Sequence, residues 1–245
     1  RKPGRHTSLV LLGIEPPDKF PLVFYRDNCA DTALEIDDVL AAPITDAGIF
    51  QFAGTNLSKD PSRSATLYGA ELAKKADTTV VLDLDFRPDQ WNDLRAYGAA
   101  IRSALPTVDV IFGTQDEINA AMLTNPKSVR MTHSQLTDAR VVGNTAEHVQ
   151  ALLEKGPGIV VEKRGKHGCL VHQRDRAPED VPGFAVTVQN ILGAGDAFGA
   201  GFLYGYVKGW DLWKACRLGN ACGAMVASRH GCSISMPFWE EAMAF

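Results

Sequence analysis

Apolar residues recur along this chain in two rhythms that take turns. TSLVLLGI (Thr7 to Ile14) and FPLVFYR (Phe20 to Arg26) are β-rich runs on either side of a Pro-Pro-Asp turn, and that arrangement predicts a hairpin. After it, Leu34 to Leu40 has the spacing of a short helix and GIFQFAG (Gly48 to Gly54) that of a strand. Pro61 to Ala76 reads as a helix opened by Ser58 or Asp60 as cap. TVVLDLD (Thr79 to Asp85) is a nearly continuous apolar strand and Gln90 to Leu105 a helix. VDVIFG (Val108 to Gly113) is a second buried strand, and Gln115 to Leu123 a further helix. Strands apolar on both faces that alternate with helices belong to a mainly parallel sheet covered by helices, so the expected fold class is α/β.

Between Thr124 and Asn144 neither period is kept, which predicts an irregular excursion. The alternation then resumes. Thr145 to Lys155 reads as a helix, GIVVEK (Gly158 to Lys163) and GCLVHQ (Gly168 to Gln173) as strands, and RDRAPEDVPG as a polar connection into FAVTV (Phe184 to Val188). Two apolar helices, Ala194 to Lys208 and Leu212 to Arg229, precede a terminal turn or helix that starts at Pro237. No internal repeat, low-complexity tract or interdomain linker interrupts the series, and residues 1–245 read as a single domain.

Composition narrows the classes. With 45% hydrophobic and 22% charged residues in 245, the chain has the balance of a globular protein, and disorder or a collagen-like fibre is excluded. Lys+Arg 25 against Asp+Glu 29 gives a net charge of -4, which offers no basic field for a nucleic-acid backbone. No apolar run reaches the length of a membrane span and RKPGRHTSLV lacks a signal-peptide core, so no membrane partner and a cytoplasmic location are expected. The cysteines (Cys29, Cys169, Cys216, Cys222, Cys232) show no C-x-x-C pair and read as reduced, small buried apolar residues. The histidines have no metal-ligand spacing.

The chemistry concentrates in NILGAGDAFGAGFLYGY (Asn190 to Tyr206), where a strand is expected to end in Gly-Ala-Gly-Asp and a helix to begin at once. Gly193, Ala194 and Gly195 expose backbone N–H groups, and the helix dipole adds positive potential at the same place, so an anion suits it. Asp196 falls in the first turn, either as a capping carboxylate or as a general base beside a phosphate. The third glycine is misplaced for a dinucleotide fingerprint, and no P-loop is present. An Asp at the helix start, where a P-loop has Lys, points to activation of a hydroxyl.

GAGDAFGAGF followed by GNACGAMVASRHGCS resembles the ribokinase-like (PfkB) sugar kinase family. LDLDFRPDQW (Leu82 to Trp91) is similar to the D-x-[ND]-x-R-x-x-x-W element of its ketodeoxygluconate-kinase-like branch, and VEKRGKHGC (Val161 to Cys169) to its K-x-G-x-x-G strand pair. FPLVFYRDNCADTAL (Phe20 to Leu34) together with SRHGC resembles the branch that acts on 5-dehydro-2-deoxygluconate in inositol catabolism. The resemblance runs from about Thr7 to the C terminus, and residues 125–144 match least. It implies a three-layer sandwich with residues 7–27 as part of a lid and 28–245 as the nucleotide-binding and catalytic core.

The resemblance further implies an ATP-dependent sugar-acid kinase with Asp196 as base and Gly193, Ala194 and Gly195 as anion hole. Mg2+ would ride on the nucleotide phosphates, with Glu117 orienting its water. Glu117 matches the family's N-x-x-E element but Thr114 departs from its Asn, and the lesser reading of Glu117 is a solvated first-turn carboxylate. Arg87 and Arg26, with Asp85, would face the acid sugar and phosphates, because a guanidinium grips carboxylate or phosphate by two bonds; the alternative for each arginine is an exposed ion pair. Lys163, Arg164, Gly165 and Gly168 would line the nucleotide, or form an ordinary hairpin turn. Asn220, Ala221 and Gly223 would border adenine, or serve helix packing. Asn190, Gly231 and Ser235 align with a monovalent-cation loop, although Asn stands for the usual Asp, so K+ is the weaker implication.

The family's first βαβ units, which carry an Asp and a Gly-Gly pair that hold the sugar, precede the part matched here, and an N-terminally truncated kinase is expected. Within the kinase class, 2-keto-3-deoxygluconate and fructose compete as substrates. Outside it stands a catalytically incomplete fragment that binds nucleotide or a partner chain through an exposed sheet edge. A homodimer through the hairpin lid follows from the resemblance and not from periodicity.

Overall fold

The computed structural model describes residues 2–15, 20–131 and 139–245. The Pro-Pro-Asp turn of the expected hairpin lies outside the described residues; the runs on either side form β1 (Leu9–Leu12) and β2 (Leu22–Tyr25), paired as a two-stranded sheet. Downstream follow α1 (Ile36–Leu40), β3 (Ile49–Ala53), α2 (Ser62–Lys75), β4 (Thr79–Asp83), α3 (Leu94–Ala104), β5 (Val110–Thr114) and α4 (Gln115–Ala121). Next come β6 (Val129–Met131), β7 (Ala139–Val141), α5 (Thr145–Glu154), β8 (Ile159–Lys163), β9 (Cys169–Gln173) and β10 (Glu179–Val181), then α6 (Ala194–Val207), α7 (Leu212–Ala227) and α8 (Trp239–Ala244). Six strands form one sheet in the order β10-β9-β8-β5-β4-β3, with β3, β4 and β5 parallel and β9, β10 antiparallel.

The chain sorts into two compact units that divide within β8: Arg1–Leu11, Leu22–Val160 and Gln173–Asp175 in the first, Leu12–Pro21, Val161–His172 and Arg176–Phe245 in the second. In the first unit the middle strands are buried on both faces, as their apolar runs require: Val80, Val81, Leu82, Val110, Ile111 and Phe112 are fully buried. Leu82 and Ile111 from these strands join Leu57, Tyr97, Ile101 and Ile118 in one core. In the second unit Ala197, Leu218, Cys222 and Val226 form the core between α6 and α7. No helix among the described residues is long and apolar enough to cross a membrane.

Four expectations are corrected. Phe184 to Val188 forms no strand, and the strand lies earlier, at Glu179–Val181 inside the polar connection, where only Val181 is buried. The stretch leading to Gly193 is therefore a loop and not a strand end. The excursion at 124–144 contains an antiparallel pair, β6 with β7, which is too short for a period to register. Of the cysteines, Cys29, Cys169, Cys216 and Cys222 are buried as expected, whereas Cys232 is partly exposed.

Candidate active site

The first unit gathers one set of the expected residues at the C-terminal ends of its parallel strands, where α/β ligand sites form. β3 gives way to a tight turn, Gly54–Leu57, in which Thr55 Oγ1 donates to Asp85 Oδ2 at 2.9 Å. Asp85 lies two residues past β4 with φ +36°, a left-handed backbone that Asp tolerates better than most residues. Its other oxygen pairs with Arg87 Nη2 at 2.8 Å. Arg87 also lies over the Phe24 ring, 5.4 Å from its centroid. Burial opposes the Arg87 charge, but the carboxylates of Asp85, Glu117, Asp83 and Asp89 more than offset this and hold its pKa above the usual value. Its Nε is buried and has no acceptor among the described residues.

Arg26, just past β2, is buried, and its Nε and Nη1 are engaged. Nε pairs with Asp31 at 2.5 Å, and Nη1 donates to the Thr55 carbonyl at 2.8 Å and to Ser58 Oγ at 3.4 Å. The structure thus ties Arg26 to the set through the backbone of Thr55. At the end of β5, Thr114 caps α4: Glu117 N–H donates to Thr114 Oγ1 at 3.3 Å and Thr114 N–H to Glu117 Oε2 at 2.7 Å. The Thr that departs from the expected Asn therefore has a definite local task, and it orients Glu117. The buried Tyr97 hydroxyl donates to the Leu84 carbonyl at 2.8 Å. Burial, and then the carboxylates of Glu117, Asp85 and Asp83, push its pKa well up, so it stays a neutral donor.

The second unit gathers the other set around the start of α6. Gly193 takes φ +86° as N-cap, and a Cβ there would lie 2.6 Å from Cys232 Sγ, so the turn demands glycine twice over. No side chain caps α6; the Ala194 N–H turns back to the Ile191 carbonyl at 3.2 Å, and the Gly195 and Asp196 N–H groups that follow lie at the positive end of the helix dipole. Asp196 is exposed in the first turn. Lys163, at the end of β8, places Nζ 3.6 Å from where a Gly195 Cβ would stand, so a cation borders the same helix start. Burial, followed by the Asp196 carboxylate, pushes the Cys232 thiol pKa up.

Asn190, Gly231 and Ser235 come together as expected. The Asn190 amide donates to the Gly231 carbonyl, Leu192 N–H donates to Asn190 Oδ1 at 2.7 Å, and Ser235 Oγ donates to the His230 carbonyl at 2.7 Å. Gly165 opens the short 3-10 turn Gly165–His167 between β8 and β9, and Gly168 follows it. Arg164 beside them is ion-paired with Asp180. Asn220 is buried, with its amide donating to the Val181 and Pro182 carbonyls at 3.1 Å each, and Gly223 faces the Ala194 carbonyl where α7 meets α6. Among the described residues no group of three or more His, Cys, Asp and Glu could hold a metal ion. Sequence reasoning missed Thr55, whose only signal is its place just after a strand, took Ser58 only as a candidate helix cap, and noted the motif of Cys232 without its position beside Gly193.

The helix start with its exposed carboxylate in the second unit, and the carboxylates and arginines at parallel strand ends in the first, are residue types that phosphoryl transfer uses. Residues 1–239 match the pfkB family carbohydrate kinases. A 5-dehydro-2-deoxygluconokinase of Bacillus cereus is 32% identical over 242 residues, 99% of this chain and 69% of the relative. That of Clostridium tetani is 32% identical over 245 residues, 100% of this chain and 68% of the relative. Among solved structures, a fructokinase with bound ATP from Xylella fastidiosa superposes with a TM-score of 0.82 at 22% identity, covering 100% of this chain and 74% of that one. A Vibrio cholerae O395 fructokinase in a fructose, ADP and calcium ion bound form gives 0.81 at 23% identity, with coverage of 100% and 74%. The chain belongs to the pfkB family of carbohydrate kinases, with a ribokinase-like fold, and is a phosphotransferase acting on a sugar.

Proposed function

We propose that this chain transfers the γ-phosphoryl group of ATP to a primary hydroxyl of 5-dehydro-2-deoxygluconate in the cytoplasm, with residues 1–245 acting as a single catalytic domain. The observation that carries the reading is the uncapped α6 start, with Gly193 in a left-handed turn, Lys163 at its side and Asp196 exposed in its first turn. In this reading the Asp196 carboxylate takes the hydroxyl proton as the sugar oxygen bonds to the γ-phosphorus. The bond from that phosphorus to the bridging oxygen breaks, and ADP leaves with its electron pair. The N–H groups of Gly193 and Gly195 meet the charge on the transferred group, the Ala194 N–H expected beside them being bonded to the Ile191 carbonyl at 3.2 Å, and Lys163 adds a positive charge there. Gly165, Gly168, Asn220 and Gly223 border the nucleotide, although the Asn220 amide is already used within the fold.

Arg87 favours a sugar acid over a neutral sugar. It is a guanidinium fixed by one carboxylate, and its buried Nε has no acceptor among the described residues. Arg26 supports it from the hairpin side through Thr55. Mg2+ carried on the nucleotide would neutralise phosphate charge, and Glu117, oriented by Thr114, is the residue to hold its water. K+ fits less well, because Asn190 stands where the family has Asp and so brings no negative charge to the loop, and no step depends on it.

Asp196→Asn tests the reading. Sugar-dependent ADP release is expected to fall by at least about a hundredfold while ATP affinity is kept, because proton transfer is lost and ground-state binding is not. Equal turnover by the variant would remove Asp196 from the role of base.

A further inference from the structure

Thr55 stands between the two arginines that the sequence marked. Its carbonyl accepts from Arg26 Nη1 at 2.8 Å and from Ser58 Oγ at 2.9 Å, so the backbone at this residue is held from two sides. Arg26 is in turn fixed by Asp31. The Thr55 hydroxyl reaches the opposite way, to Asp85 Oδ2, while Asp85 Oδ1 holds Arg87 Nη2. A carboxylate held on one oxygen alone can turn about its last side-chain bond, and any guanidinium paired to the other oxygen turns with it. A hydroxyl on the second oxygen stops that rotation, and a β-branched side chain such as Thr has few rotamers of its own to lose.

We infer that Thr55 is a positioning residue for substrate recognition: through Asp85 it fixes the direction in which Arg87 presents its guanidinium to the carboxylate of the sugar acid. The inference rests on the proposed reading of Arg87 as the carboxylate-binding residue and adds to it the group that aims it. Thr55 touches neither substrate nor nucleotide in this scheme. Its effect on affinity passes through Arg87, because ligand binding otherwise has to order that side chain. The local backbone supports this. Thr55 lies in the turn that ends β3, one residue after Gly54, whose missing Cβ allows that turn to lie against the Leu84 carbonyl. Asp85 follows Leu84 with φ +36°, a conformation that persists because its neighbours hold it.

The test is calorimetric binding of 5-dehydro-2-deoxygluconate and, separately, of ATP to the full chain. The variants are Thr55→Val, Thr55→Ser, Arg87→Ala and the Thr55→Val/Arg87→Ala pair, each with its melting temperature. Thr55→Val is expected to weaken sugar-acid binding about tenfold, the scale of one hydrogen bond to a charged group, and to leave ATP binding unchanged. Thr55→Ser, which keeps the hydroxyl, is expected to restore affinity. In the Arg87→Ala background Thr55→Val is expected to cost nothing further, which a merely structural role would not produce. If Thr55→Val does not fold, Asp85→Asn weakens the same link from its other end and is expected to show the same non-additivity with Arg87→Ala. Arg87→Ala weakening the sugar acid while Thr55→Val leaves it unchanged would overturn the inference alone. So would additive losses in the double variant. Unchanged sugar-acid binding by Arg87→Ala, or no binding by the parent chain, would overturn the reading on which the inference rests.

Discussion

At Gly54 the space a side chain would need is already taken: a Cβ would lie 2.1 Å from the Leu84 carbonyl oxygen and 3.1 Å from the Tyr97 ring. Neither neighbour yields easily, since Leu84 offers backbone and Tyr97 is buried, with its hydroxyl bonded to that same carbonyl. Gly54→Ala is expected to destabilise the chain by about 1–3 kcal/mol through overpacking, read as a lowered denaturation midpoint at constant m. Because Thr55 is the next residue, sugar-acid binding should weaken in the same variant. An unchanged midpoint would mean that the turn shifts freely. Single residues differ in how far the sequence exposes their work. Gly193 and Asp196 were legible because the turn, the helix start and the carboxylate are neighbours in sequence. Thr55 was not, since its partner Asp85 lies far along the chain and only the parallel pairing of β3 with β4 brings them together.

Helix α3 shows what periodicity leaves open at an element's end. The apolar spacing predicts a helix from Gln90, whereas Pro88–Gln90 form a separate short 3-10 turn and α3 starts at Leu94. The cap decides: Asp93 Oδ1 accepts from Arg95 N–H at 2.9 Å, and its carboxylate also holds the Arg95 guanidinium. The Arg95 side-chain bond, then the backbone bond, lowers the Asp93 pKa from 3.8 to about 2. A carboxylate whose folded pKa is depressed adds stability above its unfolded pKa and loses it as pH falls through the folded one. Asp93→Ala should therefore melt below the parent at neutral pH, and the two curves should converge as pH approaches about 2. A gap that is constant with pH would deny the carboxylate this role. Strand β10 was hidden for a different reason. A three-residue run, Glu-Asp-Val, has no period to read, and it becomes a strand only because β9 offers it an edge. FAVTV has the alternation but joins no sheet, so it is not a strand.

For the molecule as a whole, the proposed substrate implies a ranking among sugars. A site built around a fixed arginine gains from a carboxylate and is left with an underused guanidinium by a neutral sugar. Assayed with Mg-ATP, 5-dehydro-2-deoxygluconate is expected to exceed fructose in kcat/KM by at least about a hundredfold, and to exceed 2-keto-3-deoxygluconate by a smaller factor. Fructose as the better substrate would move the assignment toward the fructokinase neighbours and leave the kinase class intact.

The sequence by itself determined the alternation of helices with strands buried on both faces, because burial imposes a period that each segment carries locally. It also determined the glycine-led helix start with its carboxylate, because those residues are contiguous and their backbone geometry follows from glycine. Only the tertiary structure decided that Arg26 is spent on Asp31 and the Thr55 carbonyl, that Asn190 closes on Gly231, and that Asp85 stands between Thr55 and Arg87. Most of these contacts join residues distant in the chain. Side-chain hydrogen bonds depend on direction and on distances of about 3 Å, which no local pattern encodes until strand pairing has set the register.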